Sequence, residues 1–187
     1  MDTIEIDKDK VIDLYTSSDE KSKKLLENIF GKKWFYPSVQ DRIKTFEDAC
    51  NELGEEHPYV IQWKTWKQTG MNIRAINAYL ELCIIVTALN EYWNPIFVKG
   101  EFQYYPFFCF CCQEEVDKLK EDKGNNILNN PSYNIHIYGR LIYKGVNESR
   151  TRINIANGTH LVLKSKELAE YAGKQFIDVY GKLILGR

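Results

Sequence analysis

The spacing of apolar residues is helical in the first half of the chain and alternating in the second. In the first half, apolar positions recur every three or four residues, the mark of helices with one buried stripe. Ser17-Ser18-Asp19-Glu20 reads as a capping box, with Ser17 at the N-cap and Glu20 three residues on. The helix it opens carries Leu25, Leu26, Ile29 and Phe30 and stops at Gly31. Ahead of it, Ile4 to Ile6 fits either a short strand or a loose arm. Lys32 to Pro37 is an aromatic connector. Thr45 caps a second helix with Asp48 at its third position, a stripe of Phe46, Ala49, Cys50 and Leu53, and a stop at Gly54. Tyr59 to Gln68 is a third helical stretch, with Trp63 and Trp66. Ile73 to Asn90 is the longest, and its second half is apolar nearly all round, as a central core helix must be. Asn94-Pro95 breaks the chain after it.

Phe102 to Cys112 is aromatic and free of charge, which predicts a strand buried on both faces. Pro106 within it calls for an edge position or a kink. Gln113 to Asn130 is charged and then Asn-rich, a surface insertion with room for one short helix. From Tyr133 the period is two. Tyr133 to Lys144, Arg150 to Ala156 and Thr159 to Lys164 read as a three-strand antiparallel meander, with Asn157-Gly158 as a hairpin turn. Ser165 then caps a C-terminal helix with Leu168, Tyr171, Ala172, Phe176, Val179, Tyr180 and Leu183 on one face. Gly173 inside it suits close packing. Helices and strands are segregated, so the fold class is α+β: a helical N-terminal half and a small antiparallel sheet closed by a C-terminal helix.

Composition narrows the picture. A chain of 187 residues suits one domain, 1–187, mainly helical over 1–100 and sheet plus helix over 101–187. With 44% hydrophobic and 13% aromatic residues, disorder throughout is excluded. The run Leu82 to Leu89 falls far short of the ~20 residues a spanning helix needs, and the polar, acidic N-terminus is not a secretory signal. No membrane partner is expected. Five cysteines, an odd count, read as reduced thiols in a cytoplasm.

Four segments carry a resemblance. The longest is Leu163-Lys164-Ser165-Lys166-Glu167-Leu168-Ala169-Glu170-Tyr171-Ala172-Gly173-Lys174-Gln175-Phe176, running on to Tyr180. The others are Arg42 to Cys50, Leu89 to Pro95, and Gln103 to Phe108. In this order they resemble a family of small uncharacterised proteins carried by phages and prophages of gut Bacteroidales. The resemblance implies a phage-linked setting, in the cytoplasm of the bacterial host or in the virion. It supplies no activity and no site.

Candidate chemistry therefore comes from the residues themselves. Alternation puts Tyr133, Ile135, Ile137, Leu141 and Tyr143 on a core face, with Thr151, Ile153, Ile155, Leu161 and Leu163. The opposite face receives His136, Tyr138, Arg140, Lys144, Arg150, Arg152, Asn154, His160 and Lys164, interrupted by Ile142 and Val162. Residues 132–187 hold 9 Lys and Arg against 4 Asp and Glu, leaving 16 against 22 for residues 1–131. Such a face suits a phosphate backbone, with Arg140, Lys144, Arg150, Arg152 and Lys164 on phosphates and Tyr138 stacking on a base. The ordinary alternative, and the commoner one, is a solvated sheet face.

Cys109-Phe110-Cys111-Cys112 contains a C-x-x-C spacing, but in a strand Cys109 and Cys112 face opposite sides. Thiols packing as small hydrophobes are the favoured reading, and no metal or cofactor is expected. Trp34, Trp63, Trp66 and Trp93, with Tyr36 and Tyr92, read as packing residues before a ligand groove. His57, before Pro58, reads as a solvent residue in a loop. No phosphate loop, nucleophile elbow or zinc-protease helix is present, so catalysis is disfavoured, although a site built only from Asp and Glu leaves no readable spacing. The expectation is a non-catalytic accessory protein that binds nucleic acid or an acidic protein surface. The alternative is a structural or assembly protein, a virion component or self-associating adaptor forming a homo-oligomer, with Trp34 and Trp93 as interface anchors.

Overall fold

In the computed structural model, residues 5–95, 102–121, 132–134, 139–149 and 161–186 are described. The chain falls into two compact units that divide between Arg42 and Ile43.

The described residues of the first unit form four helices, α1 (Lys8–Ser17), α2 (Glu20–Phe30), α3 (Lys32–Phe35) and α4 (Val39–Arg42). Aspartates start the two longer ones: Asp7 caps α1, and the Asp19 carboxylate accepts from Ser22 N at 2.8 Å to cap α2. The expected Ser17 cap is thus displaced by two residues. Ser17 is the last residue of α1, where its hydroxyl donates back to Asp13 O at 2.9 Å. A carboxylate also answers the positive end of the helix dipole, which a hydroxyl does not. The unit closes around Tyr15, whose ring stacks on Phe35 with centroids 4.0 Å apart. Its hydroxyl donates to Glu27 Oε1 at 2.5 Å and meets the Tyr36 hydroxyl at 2.7 Å. Arg42 is buried, and its guanidinium donates to the carbonyls of Tyr36 and Pro37 at 3.0 and 2.9 Å.

The second unit is built on a central helix. α5 (Phe46–Leu53) opens with the capping box of Thr45 and Asp48 and ends at Gly54, as its sequence dictates. α6 (Pro58–Gln68) starts with Pro58 at its first position. His57 is not idle in a loop: its Nδ1 accepts from Tyr59 N at 3.2 Å and caps α6. α7 (Arg74–Leu89) is the core helix, with Leu82, Ile84, Ile85 and Leu89 fully buried. α5, α6 and the last helix of the chain pack on it, which is why its second half is apolar on every side.

Among the described residues the sheet has three antiparallel strands, β1 (Gln103–Cys112), β2 (Ser132–Asn134) and β3 (Gly139–Ser149), in the order β1-β3-β2. α8 (Gln113–Glu121) follows β1 directly. α9 (Lys166–Gln175) packs on β1 and β3, and α10 (Ile177–Leu185) on β2 and α7. The α+β class is as the sequence predicts, but the sheet is made differently. The stretch Tyr133 to Lys144 is not one strand. Ser132–Asn134 pairs antiparallel with Arg140 to Ile142, so it belongs to a different strand from Gly139 onward. The long partner of β3 is β1, from Gln103↔Ser149 to Cys112↔Gly139. Arg150 to Ala156 and the Asn157-Gly158 turn lie outside the described residues. Leu161 to Lys164 joins no named strand: Leu163 makes a single bridge to Tyr104. Asn90, buried at the end of α7, holds this stretch. Its Nδ2 donates to Val162 O at 2.9 Å, and its Oδ1 accepts from Lys164 N at 3.0 Å.

The C-terminal helix also differs, being broken at Phe176 into α9 and α10. Two glycines bring these helices onto the sheet. A Cβ on Gly173 would stand 2.6 Å from the Tyr143 ring and 2.7 Å from Pro106 Cβ, and one on Gly181 would stand 2.5 Å from the Tyr133 ring. Among the described residues, no helix is long and apolar enough to cross a membrane.

Candidate interface on the sheet

The faces of the sheet follow from these contacts. Tyr143 and Pro106 meet α9 at Gly173, and the Phe108 ring lies 5.1 Å from that of Tyr180 on α10. That side is the core. Alternation sends Arg140, Ile142, Cys109 and Cys111 to the other side, where the register pairs Cys109 with Ile142 and Cys111 with Arg140. This is the face on which the basic residues are expected.

Among the described residues this face is not open. Ile142 is 0% exposed, so this side is covered at its middle. α8 packs on both β1 and β3, and its Val116 is buried. The first turn of α8 carries Glu114 and Glu115. The Glu115 carboxylate accepts from Cys112 N at 2.8 Å, a bond that holds it below the usual carboxylate range. The insertion thus brings acid beside the expected bases.

Arg140 is half-buried on β3. Lys144 is exposed, and it sits in a bulge: Phe107 pairs with Gly145 and Phe108 with Tyr143, leaving Lys144 without an opposite residue. Lys164 lies on the stretch held by Asn90, and its ammonium pairs with Glu91 at 3.0 Å. The structure therefore brings Arg140 and Lys144 onto one strand and gives Lys164 a carboxylate of its own. Tyr138, Arg150 and Arg152 lie outside the described residues, as do His136, Asn154 and His160.

Trp34, Trp63 and Trp66 are engaged inside the fold. Trp34 packs on Phe30 at 5.0 Å, Trp63 on Phe46 at 4.9 Å, and Trp66 Nε1 donates to Asn77 Oδ1 at 2.7 Å. Trp34 and Trp93 are both half-buried.

Sequence reasoning missed the outer edge of β1. Pro106 fits the place of β1 at the edge of the described sheet, but the strand is not buried on both faces. Phe107 is 44% exposed and Phe110 is 54% exposed. Tyr104 exchanges both backbone hydrogen bonds with Leu163, at 3.1 and 2.7 Å. Beyond Tyr104, no described residue pairs with the outer edge of β1. The strand Gln103–Cys112 carries no charge along its whole length. Edge strands are ordinarily guarded by charge, because unpaired backbone groups recruit other strands.

The clustered cysteines, Cys109, Cys111 and Cys112, are half-buried, not sealed in the core. Cys109 and Cys111 share a face with their sulfurs 3.8 Å apart. Burial, the hydrogen bond to Cys109 and the Glu115 carboxylate push the Cys111 thiol up to about 11, with Lys144 opposing.

No family model matches this chain, and neither the curated proteins nor the solved structures hold a match to it.

Proposed function

We propose that this chain is a non-catalytic assembly protein that associates with a second copy of itself through β1, in the phage or prophage setting its sequence resemblance implies. The observation that carries the reading is an uncharged edge strand presenting Phe107 and Phe110 to solvent. By alternation these two rings stand on opposite faces, so a strand added to the edge is gripped from both sides. A second copy is the favoured partner because the strand is self-complementary. Antiparallel pairing of two uncharged strands sets no like charges against each other, and a twofold contact closes without leaving a new edge.

Nucleic-acid binding is the second reading. Arg140 and exposed Lys144 support it, while the carboxylates of α8 and the Lys164–Glu91 pair reduce the positive field that phosphate binding requires.

Sedimentation equilibrium over a range of concentrations tests the proposal. The wild type is expected to dimerise. The double variant Phe107→Ser, Phe110→Lys is expected to be monomeric with a melting temperature within a few degrees of wild type. A wild type that stays monomeric at every concentration overturns the reading. Fluorescence anisotropy of labelled oligonucleotides at several salt concentrations tests the second one. Binding that weakens linearly in log salt and disappears with Arg150→Glu, Arg152→Glu would put nucleic acid back in first place.

A further inference from the structure

Cys109 and Cys111 are brought close enough for one thiol to hydrogen-bond the other. Both thiols stand on the α8 side of β1, half-buried, with sulfurs 3.8 Å apart. Beyond that hydrogen bond, two chemistries join a pair of thiols more tightly, and the geometry separates them. A disulfide needs sulfurs ~2.05 Å apart and Cβ atoms ~3.8 Å apart. Residues two apart on a strand are separated by ~6.6–6.8 Å at Cα, at the outer limit of disulfides, and their Cβ atoms point in parallel. Closing that bond would bend β1 where Cys109 and Cys111 are paired with Ile142 and Arg140.

A metal ion needs no such closure. Thiolates bind zinc at ~2.3 Å, and two of them at the tetrahedral angle stand ~3.8 Å apart. The observed separation is one edge of that tetrahedron. We infer that Cys109 and Cys111 form a two-thiolate chelate for a soft divalent cation of the zinc class. Among the described residues no group of three metal-ligating side chains converges, and the pair supplies two positions. Thiolate ligands select such a cation over magnesium or calcium, which prefer oxygen. On binding, each thiol gives its proton to solvent and its sulfur lone pair to the metal. Two protons leave per ion, and nothing is oxidised or reduced.

The cluster contains its own control. Cys112 is adjacent in sequence, but alternation turns it to the opposite face. The other two cysteines are remote in the fold, Cys50 on α5 and Cys83 buried on α7.

The test is titration of the full chain with cobalt(II), after reduction by a phosphine, followed by displacement with zinc. The expected result is a near-ultraviolet thiolate-to-cobalt charge-transfer band saturating at one metal per chain. The band is lost in Cys109→Ser and in Cys111→Ser, and kept in Cys112→Ser and Cys50→Ser, with circular dichroism unchanged in all four. Absence of the band in the wild type overturns the inference. So does a band that survives Cys109→Ser, one that disappears in Cys112→Ser, or saturation at one metal per two chains. Only the last of these outcomes involves a second copy of the chain; the others do not depend on whether β1 also pairs two copies.

Discussion

Gly173→Ala sets two known effects against each other, and the structure decides which wins. On propensity alone, alanine within a helix is favoured over glycine by ~1 kcal/mol. Against that, the new methyl carbon would meet Tyr143 Cε2 at 2.6 Å, Pro106 Cβ at 2.7 Å and Tyr143 Cδ2 at 2.8 Å. All three contacts are too short to persist, so something must move. Pro106 is a rigid ring within β1, and Tyr143 is 5% exposed with its ring against Phe108. Neither swings aside without disturbing the β1–β3 pairing. Overpacking of this kind costs ~1–3 kcal/mol, and two unyielding neighbours put it at the upper end. The net effect is a loss of ~2 kcal/mol. For a chain of this size that lowers the melting temperature by ~4–8 °C. Urea unfolding and a thermal scan, each followed by circular dichroism, measure it. A Gly173→Ala protein as stable as wild type, or more stable, refutes the close approach of α9 to the sheet, because propensity would then be acting alone.

Three further substitutions probe other parts of the fold. Asn90→Ala strands the buried Val162 carbonyl and the Lys164 amide, and at ~1–3 kcal/mol per unsatisfied group it should cost ~3 kcal/mol in urea unfolding. Tyr15→Phe removes the hydroxyl shared by Glu27 and Tyr36 and should cost ~1–2 kcal/mol, read as faster amide exchange in α1 and α2 with α7 unaffected. Burial raises the Glu81 carboxyl above its ordinary 4.5, with Lys182 and Lys67 opposing. The folded protein thus holds that proton to higher pH than the unfolded chain does, and the wild type loses stability as pH rises from 4.5 through the folded value. Glu81→Gln should therefore be the more stable protein at neutral pH, and denaturation across a pH series should show the gap closing as pH falls toward 4.5; an unchanged gap would count against the burial of the carboxylate.

What the sequence made legible was local chemistry. Thr45 with Asp48, and the stops at Gly31 and Gly54, each depend on side chains three or four residues apart, and each forms as the pattern predicts. α7 was legible because a helix apolar on every side can only be central. The failures have physical reasons too. α1 buries only Tyr15, so no stripe announces it. The pattern Ser17-x-x-Glu20 resembles a capping box, yet the preceding helix claims Ser17 before it can act as one. The break at Phe176 carries no glycine or proline, and the apolar stripe runs through it uninterrupted. Register was the least legible. A meander assumes that strands adjacent in sequence pair, whereas β3 pairs along its full length with β1, across α8 and β2. In the cysteine cluster the C-x-x-C spacing drew attention, while alternation favoured C-x-C, the pair that the strand actually brings together.

The same distinction between local and summed properties bears on function. The surplus of Lys and Arg after residue 131 is a regional sum, and a sum does not record what folds over it. Here α8, from the acidic part of the chain, packs on β1 and β3, and Glu91 at the end of α7 takes Lys164. Both moves subtract from the positive field without changing any count. The absence of charge along Gln103–Cys112 behaves differently. It belongs to one strand, and among the described residues that strand lies at the sheet's edge, paired on its outer side only at Tyr104. An exposed strand of this kind is a liability in a protein that remains alone, since it invites pairing with any other edge. In a protein that assembles, the same strand is the means of association, with Phe107 and Phe110 as the side chains that gain most from being covered.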